Sequence, residues 1–489
     1  MKRIHKNLEF LSPDEIEEIH RTSLVILEEI GCLVPHQRML EILSENGAEV
    51  DFDSQIVKFS REVIENSLKK IPKRYEVIPS YFENKFTVGD GELKLWMNYT
   101  QDMCDWKTYS RRLCSEKDIL KGIILGNVLP FVGNNNVIAA PEGIPAEIVD
   151  VYCWYLLYKY SKKACNSWIY NPKSAKYILD LAIALAGTED GLKKKKNLMY
   201  FAESISPLKW GRHTLEIMLM YSKYEIPIFI GPIVSTGGSG PVTLAGSLAL
   251  ANAEILSGIF MINALNKKQP IIYPCLTTPL NMKTAMISYG SPEMVLLSAA
   301  SVQLGSYYGL PSSGNVHLSD SNYPDFQYGY EKASTFAFAL AAGLEMWGVI
   351  GYSAAGHMGT NPGVSSLEGI VLDNECFKYM SRILNGIKVD KNTLALDVIK
   401  EVGIGGNFLS HDHTNKNFRN ELWDSDLFVR ESYSNWFKNR ENNIVDNTII
   451  KMEKILKDNW PCEPAIDSSV EKDLKKIFNI AKKDLLKSS

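Results

Sequence analysis

The run Ser319–Ala333, SDSNYPDFQYGYEKA, crowds Asp320, Asn322, Asp325 and the tyrosines 323, 328 and 330 around one proline. A turn that only reverses the chain has no need of that density. Carboxylates and aromatic faces on one loop suit recognition of a small charged molecule. Other candidates stand in similar settings. Glu203 follows the apolar run LMYFA, and His357 sits in a glycine-flanked loop after VIGYSAA, each a possible substrate contact or a structural group. Trp96, Tyr99, Trp106, Trp168, Tyr323, Tyr328 and Tyr330 supply aromatic rings near expected loops. Core packing accounts for most aromatic residues in any protein, but several rings at one face would cage a quaternary ammonium ion.

Two motifs are more ambiguous. STGGSGP (Ser235–Pro241), with Gly237 and Gly238 at its centre, precedes a long apolar stretch. It reads equally as backbone N–H donors for an anion or flat cofactor and as a flexible loop with Ser239 as helix cap. No lysine follows, so it is not a phosphate loop. His411-Asp412-His413 invites a metal reading, yet no other histidine cluster exists among the eight, which favours a structural or subunit-contact role.

These residues need elements to position them. Short β-rich runs at FVGNNNVIAA, ACNSWIY, LMYFAES, IPIFIGP, QPIIYPC, GLPSSGN and GVIGYSAA recur roughly one βα unit apart, with apolar-periodic helices between them. Seven consecutive units predict an α/β chain folded as a (β/α)8 TIM barrel, although the eighth strand is not evident. In such a barrel the loops after the strands form the active face, and Glu142, Tyr170, Glu203 and the Ser319–Ala333 run all fall there. Residues 1–114 read as an N-terminal extension of helices and short strands, 115–384 as the barrel, and 385–489 as a helical appendage. At the N-terminal end, Ser12-Pro13-Asp14-Glu15 predicts a capping box with proline at the first helical position.

Composition narrows the function classes. Of 489 residues, 45% are hydrophobic and 22% charged, enough for a large buried core, and the net charge of −4 gives no case for nucleic acid. Eight cysteines without a CxxC pair match a reduced, cytoplasmic protein rather than a disulfide framework. Val242–Leu265 is long enough to span a membrane, but Asn252 and Glu254 near its middle and the surrounding βα rhythm predict a buried helix.

The stretches LSDSNYPDFQYGYEKA, GYSAAGHMGTN and GGNFLSHDHTNKNFR, with LSPDEIEEIHRTSLVILEEIG near the start, resemble the trimethylamine:corrinoid methyltransferase family over nearly the whole chain. The resemblance implies a (β/α)8 barrel that passes a methyl group to the Co(I) corrinoid (cobalamin) of a separate partner protein, with no tightly bound cofactor of its own. In the trimethylamine enzymes the loop corresponding to Ser319–Ala333 carries pyrrolysine, whose imine is thought to bind and position the amine. This chain has Asn322 there, and a carboxamide has no electrophilic imine carbon for such an adduct. A substrate that is already quaternary needs no such help, since its leaving group is a neutral tertiary amine. The resemblance therefore implies the branch acting on glycine betaine, with proline betaine, carnitine or γ-butyrobetaine as alternatives.

On this reading Glu203 and Asn322 are the catalytic candidates. Tyr99, Trp168, Tyr330 and His357 bind substrate, the rings at its trimethylammonium end and His357 at its carboxylate. Gly237 and Gly238 face the cofactor. No metal, nucleic acid or membrane is expected, and a homo-oligomer is. The rivals are a metal-dependent barrel hydrolase using His411 and His413, which stoichiometric zinc would reveal, and a betaine-binding protein, which would bind without demethylating.

Overall fold

The computed structural model describes residues 8–91, 93–97, 99–345, 349–354, 363–438 and 443–487, for 352–354 the backbone only. Eight short strands alternate with eight long helices. The strands are β1 (Leu95–Met97), β2 (Val132–Asn135), β3 (Ala164–Cys165), β4 (Tyr200–Ala202), β5 (Ile228–Ile230), β6 (Ile271–Cys275), β7 (Ser312–Gly314) and β8 (Val349–Ile350). The helices that follow them in turn are α1 (Glu116–Val128), α2 (Val149–Tyr160), α3 (Pro172–Ala186), α4 (Arg212–Tyr221), α5 (Leu244–Leu265), α6 (Pro292–Tyr307), α7 (Phe326–Ala342) and α8 (Leu367–Leu384).

Pairing is parallel throughout and gives two four-stranded sheets, ordered β8-β1-β2-β3 and β4-β5-β6-β7. The eighth of these strands thus lies beside the first, with Val349 opposite Trp96. A backbone bond from Val349 N to Val316 O (3.1 Å) joins β8 to the segment after β7. Strand β1 lies inside KFTVGDGELKLWMNYT, which reads from sequence as a short strand of the N-terminal extension rather than as a member of the βα series.

Local chemistry sets the helix starts. Ser115 and Asp118 form a capping box on α1, Asn171 caps α3 ahead of Pro172, Ser291 caps α6 ahead of Pro292, and Asp325 caps α7. The predicted Ser12–Glu15 box is present on the N-terminal helix Pro13–Val25. That helix packs on α5, where Asn252 Nδ2 donates to Ser23 Oγ (2.9 Å) and to Tyr308 Oη (2.9 Å). Helix α5 is the chain's one long apolar helix among the described residues, and 89% of its apolar window is buried inside the protein. Its polar groups are thus internal fasteners: Glu254 receives Ser204 Oγ, Ser206 Oγ (2.9 Å) and Leu208 N (2.9 Å), fixing the segment after β4.

A hairpin, Tyr75–Val77 paired with Phe86–Val88, joins the interior cluster between the strands. At the other end of the chain, Ile444–Asn459 packs on α8 and α1, and Ser468–Lys487 packs on α3 and α2. All eight cysteines are free.

Candidate active site on the inner wall

Side-chain alternation separates two faces. Trp96, Ala164, Phe229, Ile272 and Leu276 gather in one interior cluster with the half-buried Phe201 and Ile233. Their strand neighbours Leu95, Met97, Cys165, Tyr200, Ala202, Ile228, Ile230 and Tyr273 belong to the core shared with the helices. The same alternation turns Glu203, two residues beyond Phe201, inward. It also turns Asn134 inward, since Asn134 lies opposite both Trp96 and Ala164. Asn136 and Asn166 continue that inner face, with Asn166 N donating to Asn135 O (2.9 Å).

The rings on this wall are in contact. Trp168 meets Phe201 edge-on, centroids 5.4 Å apart, and Phe201 lies 5.1 Å from Phe229. Gly231 makes room for them, because a Cβ there would fall 2.1 Å from the Phe201 ring. The loop bearing Trp168 is held from behind. Trp168 O accepts from Trp154 Nε1 (3.3 Å), and Asp150 on α2 accepts from Tyr170 N (3.0 Å) and from the Ser174 hydroxyl. Burial pushes the Glu203 carboxyl up to about 7, and its side chain has no hydrogen-bond or ion-pair partner among the described residues. A partly desolvated carboxylate on the strand face that carries aromatic rings is suited to a cation that cannot donate hydrogen bonds.

Glu203 thus shares a strand face with Phe201, whose ring Trp168 meets while also packing against the helix-facing core, and other expected residues lie elsewhere. Tyr99 is 6% exposed and packs in the core facing the helices, near Asp150 and Cys153. Its hydroxyl accepts from Tyr170 (3.2 Å), so it buttresses the Trp168 loop rather than facing the interior. Burial raises its phenol further. Tyr330 is 65% exposed and stacks on the surface residue Phe326, because α7 buries its Tyr328, Lys332 and Thr335 face instead. Asn322 is exposed at the tip of its loop. His357 lies outside the described residues.

The glycine loop is also unlike its cofactor reading. Gly237 N bonds Gly240 O (3.1 Å), while Gly238 N and Gly240 N both bond Ser235 O (3.0 and 3.1 Å). Those donors close the turn on itself and are not offered to a ligand. Helix α5 starts only at Leu244, and the Ser239 hydroxyl accepts from Ser235 N (2.9 Å) instead of capping it. Among the described residues no group of three or more His, Cys, Asp or Glu could hold a metal ion. His411 uses Nδ1 to accept from His413 N (3.0 Å) as the cap of a helix in the C-terminal segment.

The crowded run after β7 proves to be fastened to itself and its surroundings. Asp320 accepts from Tyr289 N (2.8 Å) and Gly290 N (3.1 Å), and burial lifts its carboxyl to about 6. Ser319 Oγ and Asp320 N both donate to Glu331 (2.7 and 2.8 Å), and Ser321 Oγ donates to Asp325 (3.0 Å). Beneath it, Lys332 Nζ grips both oxygens of Asp373 (2.9 and 2.8 Å), and Asp373 also accepts from Gly351 N (2.9 Å) at the end of β8. His317 stands 3.8 Å from that carboxylate, its pKa lowered to about 4 by burial.

The sequence reading missed Phe201, Phe229, the three asparagines and the Lys332–Asp373 pair. Period-two alternation in YFAE places Phe201 and Glu203 on one face, and that signal was available. Nothing local pairs Lys332 with Asp373, which lie on different helices.

Residues 1–485 match the trimethylamine methyltransferase (MTTB) family. The chain belongs to that family and is a methyltransferase. It is 29% identical to the glycine betaine methyltransferase of Desulfitobacterium hafniense strain Y51, over 95% of each chain. It is 28% identical to trimethylamine methyltransferase MttB of D. hafniense strain DSM 10664 / DCB-2, over 87% of this chain and 84% of that one. The MttB of Methanosarcina barkeri strain Fusaro is likewise 28% identical, over 97% and 96%. Among solved structures, the M. barkeri monomethylamine methyltransferase aligns over 97% of this chain and 92% of its own, at 11% identity and a TM-score of 0.47.

Proposed function

We propose that the protein demethylates a quaternary amine, glycine betaine first among candidates, onto the Co(I) corrinoid of a separate protein. The observation that carries this is the Glu203 carboxylate, without a side-chain partner among the described residues, on the strand face of Phe201, whose ring meets Trp168. Family membership and the named glycine betaine methyltransferase relative support it. The two sheets would be halves of one (β/α)8 barrel. The β8–β1 pairing, the Val349–Val316 bond and the Trp168–Phe201 contact between the β3 loop and β4 all support closure.

In this reading Glu203 and the rings hold the trimethylammonium group and exclude water from it. One N–CH3 bond breaks with its electron pair left on nitrogen, so the leaving amine departs neutral and no side chain need donate a proton. The corrinoid supplies the nucleophile that takes the methyl. Orientation and desolvation are what remain for the protein to provide. Asn322 offers no electrophilic imine carbon, so a tertiary amine would gain no adduct. The eight free cysteines support a cytoplasmic setting, and exposed Ile387, Val389, Leu396, Ile404 and Leu409 support a homo-oligomer.

The test is methyl transfer to a reduced corrinoid protein, followed by the absorbance of methyl-Co(III), with glycine betaine, carnitine and trimethylamine compared. Rapid turnover of a betaine and slow turnover of trimethylamine is expected. Equal rates would remove the argument from leaving-group charge.

A further inference from the structure

We infer that the carboxamides on the inner face of β2 and β3 bind the acid end of the substrate, with Asn134 the principal donor. This rests on the quaternary-amine reading above and adds to it the choice between a betaine and a plain quaternary ammonium ion. Among the described residues Asn134, 1% exposed, has no hydrogen-bond partner for its Oδ1 or its Nδ2, and Asn136, two residues on, on the same face and 5% exposed, has none for its Oδ1. Their neighbour on the opposite face is partly engaged: Asn135 Nδ2 donates to Asn127 Oδ1 (2.9 Å) and Ser161 Oγ (2.8 Å), and its Oδ1 is left open. Buried amides are normally satisfied, and those left open in a native interior mark a place for water or a ligand.

The chemistry of the wall favours a zwitterion. Glu203, directly after β4, suits the cation, and Asn134, Asn136 and Asn166 present carboxamides from β2 and β3. A neutral NH2 donor can hold a carboxylate without placing a second cation beside the ammonium group. An arginine or lysine in the same position would repel that group, and an aspartate would repel the acid end.

The experiment is calorimetric binding of glycine betaine and of tetramethylammonium to the full-length protein and to Asn134→Leu. Betaine should weaken by about tenfold or more in the variant, while tetramethylammonium changes by less than about twofold. Equal losses for both ligands, or none for betaine, would overturn the assignment and leave the open amides to bound water. If Asn134→Leu does not fold, Asn136→Ala and Asn166→Leu are judged by the same ratio. A parent protein that binds tetramethylammonium but prefers betaine by no margin defeats this inference alone. One that binds neither defeats the quaternary-amine reading beneath it.

Discussion

The inner wall of β2–β4 and the loop after β7 are both rich in polar and aromatic groups, and they use them in opposite ways. In the loop nearly every polar group is engaged: Asp320 with two backbone N–H groups, Glu331 with Ser319 and Asp320, Asp325 with Ser321 and the start of α7. On the wall Glu203, Asn134 and Asn136 have donors or acceptors left over. A satisfied group stabilises one conformation, whereas an unsatisfied buried one carries a cost that a ligand can relieve. Local density of chemistry in a sequence therefore does not locate a binding site. What locates it is the density that the fold leaves unanswered.

The largest effects should come from breaking the fastened side of that contrast. Lys332→Met leaves Asp373 buried without its cation, beside a His317 that burial keeps neutral. The expected loss is about 3–5 kcal/mol of stability, read as a lowered urea midpoint. Substrate affinity of the fraction still folded should be unchanged. Lys332→Met combined with Asp373→Leu should recover much of the loss, since a buried pair is often replaceable by apolar residues. A single variant as stable as the parent would show that the ion pair does not hold the β7 and β8 loops.

Next in size is a contrast between two aromatic residues. Trp168→Ala should weaken a quaternary ligand by roughly tenfold or more, because a desolvated ring face contributes about 2 kcal/mol to a cation. Tyr99→Ala should instead act on folding, at about 3–5 kcal/mol for emptying a packed aromatic site. Tyr99→Phe should cost much less, since only the bond from Tyr170 is lost. If Tyr99→Ala folds normally and loses ligand as Trp168→Ala does, the division between wall and support is wrong.

The alternation of βα units and the helix caps were legible because they are written locally, in short apolar runs and in Ser-x-x-Glu or Asn-Pro pairs. The place of β1 in that series was not, because it depends on partners at 132 and 349, distant in the chain. Glu203 and Trp168 were proposed from sequence because each lies in or just after a recognisable strand run. Tyr99 was misplaced for a physical reason of the same kind: its side depends on the register of β1, and a shift of one residue reverses the facing. The glycine loop misled because its sequence advertises backbone donors without showing that Ser235 O and Gly240 O take them.

The smallest effect is the most specific, and it concerns pH. The Glu203 carboxyl titrates near 7 in the free protein, so it is mostly ionised above that pH and mostly neutral below it. Only the ionised form attracts a quaternary ammonium, so ligand affinity should level off above about pH 7 and fall as pH drops below it. The fall approaches tenfold per unit, because each pKa unit of differential interaction is about 1.36 kcal/mol. The stability of the free protein should run the other way. A folded-state pKa raised above the ordinary 4.5 means that stability present at low pH is lost as pH rises toward 7, and a bound cation should restore it. Asp320, lifted to about 6, adds to that stability loss but lies in the fastened loop and should leave ligand binding alone. Glu203→Gln should bind ligand weakly with a flat pH profile, while Asp320→Asn keeps the parent's profile. A parent whose affinity is flat between about pH 6 and 8, or a Glu203→Gln variant that keeps the slope, would move the cation's counter-charge away from the inner wall.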